Sequence, residues 1–137
     1  MNRRSIPDTR NAGRTFWALA AEGQLALPYC TPCSRAFWYP RWCCPHCGSA
    51  AVEWRTTSGD GSVHTFTVVR RSDHPHFLER VPYVVAMIDL DEGVRIMSNV
   101  IGCEPEVVTI GMRVHCAFER IDDYVGLRLF APMSKTA

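Results

Sequence analysis

The sequence lacks a long apolar run. Its longest apolar stretch covers residues 81–90, where Pro82 interrupts it and Asp89 adds a charge. A helix that crosses a bilayer needs about 20 apolar residues, so the sequence predicts no transmembrane helix and no membrane partner. The start of the chain, Met1–Asp8, is basic but has no apolar segment of the kind found in secretory signals. We therefore expect a cytoplasmic protein, whose thiols stay reduced.

The sequence also lacks a surplus of charge. Fifteen basic residues, fourteen of them arginine, face fourteen acidic ones, for a net charge of +1. Proteins that bind nucleic acids usually carry an excess of Lys and Arg on one face. The balance therefore argues against nucleic acid as a partner, although a small module that binds single-stranded nucleic acid stays the alternative interpretation.

Signatures of an independent enzyme are missing as well. The sequence contains no Gly-x-Ser-x-Gly motif and no pair of carboxylates at a spacing that would favour acid–base catalysis. His74 and His76 have no evident partner in sequence that would orient them for proton transfer. An independent hydrolase or acyltransferase is therefore disfavoured, and no catalytic residue is predicted.

Cysteine, by contrast, is abundant, and four of the seven cysteines form two Cys-x-x-Cys motifs. Cys30 and Cys33 make the first pair, and Cys44 and Cys47 make the second, with ten residues between the pairs. Two such pairs can converge tetrahedrally on one zinc ion; redox chemistry or an iron–sulfur cluster is the alternative. Four thiolates fill the tetrahedron and leave no position for water, so the expected zinc is structural. Cys43 could compete with Cys44, but only Cys44 keeps the two-residue spacing.

The glycine after the second motif fits the same interpretation. Gly48 follows Cys47 directly, where a positive φ is often required and glycine adopts it freely. Ser34 occupies the corresponding place after the first motif, so we expect a less relaxed turn there. His46, inside the second motif, is expected to face solvent rather than to bind the metal.

The rest of the chain predicts a short helix and five strands. Phe16, Leu19 and Ala20 have helical spacing within residues 15–25, and Gly23 is a plausible end of that helix. Short apolar or alternating runs predict strands over residues 63–70, 83–90, 95–101, 114–118 and 127–129. The run at 83–90 is nearly continuous, which favours a strand buried on both faces.

We therefore predict a mainly β fold. It consists of a short N-terminal helix, a rubredoxin-like zinc ribbon and a five-stranded OB-fold barrel. The predicted division is an N-terminal arm and helix over residues 1–26, the ribbon over 27–52, the barrel over 53–132 and a tail over 133–137.

The order of motifs resembles a known family, the acyl-CoA-associated zinc-ribbon/OB-fold proteins. The resemblance extends from about Phe16 to Pro132. The residues that carry it are Phe16-Trp17, the two cysteine motifs with Pro40-Arg41 between them, Glu53-Trp54, Ser58-Gly59-Asp60-Gly61, Phe66-Thr67-Val68-Val69 and Pro82-Tyr83-Val84-Val85-Ala86.

This resemblance implies a subunit rather than a free-standing enzyme. Members of the family accompany thiolase-fold enzymes, aldolases or hydratases that act on CoA thioesters. We therefore expect a hetero-oligomer in which this chain docks on a thiolase-fold or hydratase subunit and helps to form the acyl-CoA site of that partner. The aromatic segment 37–42 is a candidate for the docking surface, although its rings could equally pack the ribbon onto the barrel.

A direct contact with an acyl-CoA shared with the partner is a further expectation. The longest connection between strand runs, residues 70–80, is where binding residues tend to lie on a rigid barrel. Arg70, Arg71 and Arg80 could meet the CoA phosphates, and Phe77 could line an acyl channel. An ordinary solvated loop is the alternative for each of them.

Overall fold

A computed structural model describes residues 4–133 of the chain. Two helices and eight strands, together with a 3-10 turn at Pro105–Val107, make up the fold. The helices are α1 (Arg14–Ala21) and α2 (Pro75–Leu78). The strands are β1 (Ala26–Cys30), β2 (Arg35–Ala36), β3 (Val52–Thr56), β4 (Asp60–Val69), β5 (Tyr83–Leu90), β6 (Arg95–Val100), β7 (Arg113–Arg120) and β8 (Gly126–Pro132).

The last five strands close into a barrel in the order β4-β5-β6-β8-β7. Neighbours are antiparallel except β6 and β8, which pair in parallel at Val100 and Phe130. The barrel closes where residues 60–62 of β4 pair with residues 113–115 of β7. The predicted mainly β fold with a five-stranded barrel is therefore confirmed.

The barrel core lies on the inner face of each strand. In β5, every second residue from Val84 to Leu90 is buried, while the residues between them are only partly covered. The prediction that this strand is buried on both faces is therefore wrong. A closed barrel surrounds one core, and its outer face is covered only where another part of the chain packs on it.

Helix α1 packs against β8 through a close backbone contact. Phe16 and Ala20 on its inner face are 2% and 1% exposed. Gly126 at the start of β8 lies so near the helix that a Cβ there would be 2.3 Å from the backbone carbon of Ala20. The helix ends earlier than predicted, at Ala21, and Gly23 follows with a φ of 79°.

The cysteine-rich region contains a small sheet that the sequence did not reveal. Strands β2, β1 and β3 form it in that order, and residues 26–30 of β1 pair antiparallel with residues 52–56 of β3. The predicted irregular segment 70–80 contains the short helix α2. Within residues 4–133, no helix has the length and apolar character needed to cross a membrane.

Candidate metal centre

The small sheet brings the four predicted ligands together. Cys30 ends β1, Cys33 lies between β1 and β2, and Cys44 and Cys47 lie in the loop between β2 and β3. Their sulfur atoms all lie within 4.8 Å of one another. The Sγ atoms of Cys30 and Cys47 are 3.6 Å apart, and those of Cys33 and Cys44 are 3.9 Å apart.

These distances fit a tetrahedral zinc site. Zinc–thiolate bonds of about 2.3 Å in a tetrahedron separate neighbouring sulfurs by about 3.8 Å. Backbone N–H groups also point at the sulfurs: that of Cys33 donates to Cys30 Sγ at 3.4 Å, and that of His46 donates to Cys44 Sγ at 3.3 Å. Such hydrogen bonds favour the charged thiolates that a metal needs.

The turns after the two motifs have the left-handed backbone that the sequence analysis anticipated. Gly48 has a φ of 76° and Ser34 a φ of 55°. Cys43 is exposed and stands outside the cluster, whereas Cys44 is 2% exposed and lies within it. His46 is exposed, in agreement with its predicted orientation toward solvent.

The four side chains cannot all ionise without a metal. The Cys47 and Cys30 side chains and then burial raise the pKa of Cys33 to about 12, and burial raises the pKa of Cys30. Burial alone would also raise the pKa of Cys44, but the N–H groups of Cys47 and His46 outweigh it and lower that pKa to about 7. At neutral pH the empty cluster therefore keeps at least two thiol protons, which zinc must displace.

Zinc affinity is accordingly expected to fall as the pH falls. Because at least two protons leave on binding, the affinity should drop by about a hundredfold or more for each pH unit below 7. Competition with a chromogenic chelator between pH 8 and pH 6, corrected for the chelator's own protonation, measures this slope. A slope near zero would contradict a four-thiolate site.

The aromatic segment 37–42 packs within the chain through its first residues and is exposed at its end. Phe37 is 3% exposed and packs with Cys30 and Cys44 in the ribbon core. Trp38 packs toward α1, with its ring centroid 4.7 Å from that of Phe16. Trp42, in contrast, is 78% exposed.

A groove of about 650 Å³ lies between the start of α1 and this segment. We call it the aromatic groove; it is lined by residues 11–13, 16–17 and 38–43 and by Arg128 of β8. The guanidinium carbon of Arg128 is 4.7 Å from the Phe16 ring centroid. Sequence reasoning missed Arg128, because an arginine between leucines in a strand reads as an ordinary outward side chain.

The four predicted CoA contacts do not all meet. Phe77 and Arg80 line a cavity of about 260 Å³ on the side of the barrel, together with Arg4. The guanidinium carbon of Arg4 lies 5.3 Å from the Phe77 ring centroid. Arg70 and Arg71 are exposed beyond the end of β4 and are not among the residues that line this cavity.

Two family models match consecutive parts of the chain. The one described as ChsH2, rubredoxin-like zinc ribbon domain, matches residues 17–53. The one described as ChsH2, C-terminal OB-fold domain, matches residues 54–119. Together they run without a gap over the ribbon and most of the barrel.

Related proteins include both short and long chains. A DUF35 domain-containing scaffold protein of Methanothermobacter thermautotrophicus is 32% identical over 109 residues, which are 79% of this chain and 81% of that protein. A probable enoyl-CoA hydratase alpha subunit of Thermomonospora curvata is 36% identical over 125 residues, which are 89% of this chain. This chain spans only 38% of the length of that hydratase subunit.

Solved structures have the same fold. A chain of the structure described as Ltp2-ChsH2(DUF35) aldolase superposes with a TM-score of 0.81 at 32% identity, covering 95% of this chain and 98% of that one. A DUF35 protein of unknown function from Sulfolobus solfataricus superposes with a TM-score of 0.64 at 17% identity, covering 89% and 85%. The chain therefore belongs to the DUF35 family of proteins built from a ChsH2-type zinc ribbon and OB-fold domain.

Proposed function

We propose that this chain is a zinc-stabilised, non-catalytic subunit of a complex that processes CoA thioesters. It docks on a thiolase-fold or hydratase subunit and helps to form that partner's acyl-CoA site. The observation that carries the proposal is the match, at 32% identity over 98% of its length, to a chain of the Ltp2-ChsH2(DUF35) aldolase structure. The words "scaffold protein" and "hydratase alpha subunit" in the names of relatives support a role beside other subunits.

The chemistry of the described residues supports a non-catalytic role. Zinc bound by four thiolates has no open position for water or substrate. Two histidines have carboxylate partners, His115 with Asp60 at 2.5 Å and His64 with Asp89 at 3.4 Å. Both histidine side chains are about half exposed on the barrel surface, where they are poorly suited to desolvated acid–base chemistry.

The proposal predicts a stoichiometric enzyme partner. Tagged full-length chain is purified from its native cells, treated with nuclease and examined by mass spectrometry. We expect near-equal amounts of a thiolase-fold or hydratase protein, and CoA-thioester turnover in the purified complex. Recovery of the chain alone, or of proteins that process nucleic acids, would overturn the proposal in favour of a different role.

Within that complex, we place the CoA contacts of this chain at the segment 70–80. The cavity lined by Phe77 and Arg80 combines an aromatic ring with a positive charge. This combination suits the acyl or pantetheine chain of a CoA thioester, with the CoA phosphates near the arginine. Glu119 also lines the cavity, so Arg80 and Arg4, rather than the cavity as a whole, supply the attraction for phosphate. Arg70 and Arg71 are exposed and free to reach phosphates beyond the cavity.

Removing these cations should weaken CoA binding by the complex. We expect Arg80→Ala to raise the dissociation constant for CoA about tenfold, because a charge-assisted hydrogen bond to phosphate is lost. Arg70→Ala and Arg71→Ala should weaken binding less. Calorimetric titration of the complex with CoA measures the change, and Arg35→Ala, an exposed arginine of β2, is the matched control. Unchanged affinity in all three variants would exclude this segment as the contact.

A further inference from the structure

Arg128 is a cation that lacks an acidic partner. Its guanidinium carbon lies 4.7 Å from the ring centroid of Phe16 and 5.7 Å from those of Trp17 and Trp38. Its Nη2 donates a hydrogen bond to the carbonyl oxygen of Met97 at 3.3 Å. Among residues 4–133, no carboxylate forms an ion pair with it.

Two N–H groups beside the aromatic groove also lack acceptors. The Nε of Arg128 and the Nε1 of Trp38 are buried and make no hydrogen bond within the described chain. Burial lowers the pKa of Arg128 to about 10, so the side chain remains charged at neutral pH. A buried charge that is not paired is costly, and aromatic rings offset only part of that cost. Within the part of the chain that the structure describes, no anionic acceptor therefore faces Arg128.

The surroundings of the groove are positive as well. Arg41 lines both the aromatic groove and an adjoining groove of about 360 Å³, which Arg14 also lines. Arg10 lines the second groove too, but its charge is offset by Asp8, 3.0 Å away. Neither groove has Asp or Glu among its lining residues. Helix α1 begins here without a side-chain cap and without an acidic residue in its first turn, so its positive end adds to the field.

The same surface exposes large aromatic side chains. Tyr39 is 56% exposed and Trp42 is 78% exposed. Exposed tryptophan, tyrosine and arginine side chains grouped around a concave site are the residues that contribute most to protein–protein binding. An apolar segment that also carries a negative charge would complement this surface.

We propose that the aromatic groove receives an Asp or Glu side chain from an apolar segment of a partner protein, and that this carboxylate pairs with Arg128. The identity of the partner as a CoA-processing enzyme rests on the proposed function. A planar carboxylate suits a guanidinium that three rings surround, because the two groups can join edge to edge. A phosphate dianion would instead need several N–H donors around it, and a site lined by aromatic rings offers few of them.

Binding measurements with the recovered partner test the pairing. We expect Arg128→Met and Trp42→Ala each to weaken binding at least tenfold, while Arg35→Met, outside the groove, stays within twofold. The Arg128→Met chain should melt no lower than wild type when free, because it loses an unpaired buried charge. Wild-type affinity of both groove variants would overturn the proposal. If Arg128→Met does not fold, wild-type affinity of Trp42→Ala alone would overturn it, because Trp42 is exposed and its removal spares the core.

Photo-crosslinking distinguishes this proposal from the proposed function. The chain carrying p-benzoylphenylalanine in place of Cys43, an exposed residue that lines the groove, is irradiated in the native cells, and the attached peptide is sequenced. A segment with Asp or Glu between apolar residues supports the pairing if changing that residue to Asn or Gln weakens binding as much as Arg128→Met does. The two changes combined should weaken binding no further than either alone. Such a segment on a protein that does not process CoA thioesters supports the pairing but overturns the proposed function.

The remaining outcomes overturn the pairing. A cross-linked segment without a carboxylate, on a CoA-processing enzyme, leaves the proposed function intact and removes the pairing. Failure to cross-link any protein would also overturn the pairing.

Calorimetric titration of the free chain with CoA tests whether a phosphate is the anion that Arg128 binds. If the free chain binds CoA and Arg128→Met abolishes that binding, the groove serves a nucleotide instead.

Discussion

Replacing Cys44 with Ala is expected to remove zinc from the protein and to unfold the ribbon. Cys44 is buried, its sulfur accepts an N–H hydrogen bond, and its loss leaves three ligands for a tetrahedral ion. Structural zinc contributes on the order of 10 kcal/mol of binding free energy in small modules, so the ribbon should not persist without it. Zinc content per chain, measured by mass spectrometry of the metal, should fall from about one to below about 0.1.

Cys43→Ala provides the matched control. Cys43 is the neighbouring cysteine in the chain, but it is exposed and lies outside the sulfur cluster. This variant should keep one zinc and its full resistance to limited proteolysis between residues 27 and 52. Stoichiometric zinc in the Cys44→Ala chain, or loss of zinc from the Cys43→Ala chain, would show that the ligands are assigned wrongly.

The loss of the ribbon should extend to assembly but not to the barrel core. Phe37, Cys30 and Cys44 form a cluster separate from the core of the barrel. Trp38 and Trp42 of the aromatic groove, however, lie in the loop that contains Cys44. We therefore expect Cys44→Ala to abolish recovery of the partner while the barrel keeps its strands, as measured by hydrogen exchange of β5.

Replacing Gly126 with Ala is expected to destabilise the docking of helix α1. The added Cβ would lie 2.3 Å from the backbone carbon of Ala20 and 2.3 Å from the backbone nitrogen of Ala21. Neither backbone atom can move aside without shifting the helix away from β8. Overpacking of this kind costs about 3 kcal/mol, which corresponds to roughly 10 °C in the melting temperature. Thermal and urea unfolding of the zinc-loaded chain measure the loss.

Gly13→Ala is the control for Gly126→Ala. It separates the effect of crowding between α1 and β8 from the general effect of replacing a glycine by alanine. A Cβ on Gly13, at the start of α1, would meet the side-chain oxygen of Asn11 at 3.1 Å, and that side chain can rotate. Gly13→Ala should therefore cost at most about 1 kcal/mol, the ordinary range for changes at a helix cap. Equal melting temperatures for Gly13→Ala and Gly126→Ala would contradict the close packing of α1 on β8.

Local patterns predicted the barrel well. The five runs with strand character became β4 to β8, because alternation along a strand directly reflects which side faces the core. Their ends differ by a few residues: β4 begins at Asp60 rather than Val63, and β6 ends at Val100 rather than Ile101. The ribbon strands were missed because β2 has only two residues and β1 contains a proline and a cysteine. Their register depends on pairing with distant residues.

Two features of this protein follow from the sequence alone. The spacing of Cys30, Cys33, Cys44 and Cys47 predicted the four-thiolate site, since two short turns of this kind can present their sulfurs to a common ion. The alternation of the later segments determines a small barrel, since each strand has one face that must be buried. Each Cys-x-x-Cys pair and each alternating strand depends on residues close together in the chain, whose relation is fixed by local geometry. The pairing of β1 with β3 and of β4 with β7 then brings these elements into one cluster and one barrel.

The tertiary structure alone decided what lies around these elements. It brought Phe77 and Arg80 into one cavity, which Arg70 and Arg71, just beyond the end of β4, do not line. It also enclosed Arg128 among aromatic rings that come from α1 and the ribbon. Such a setting requires three separate elements to pack together, and the charge that it leaves unpaired cannot be read from any one of them.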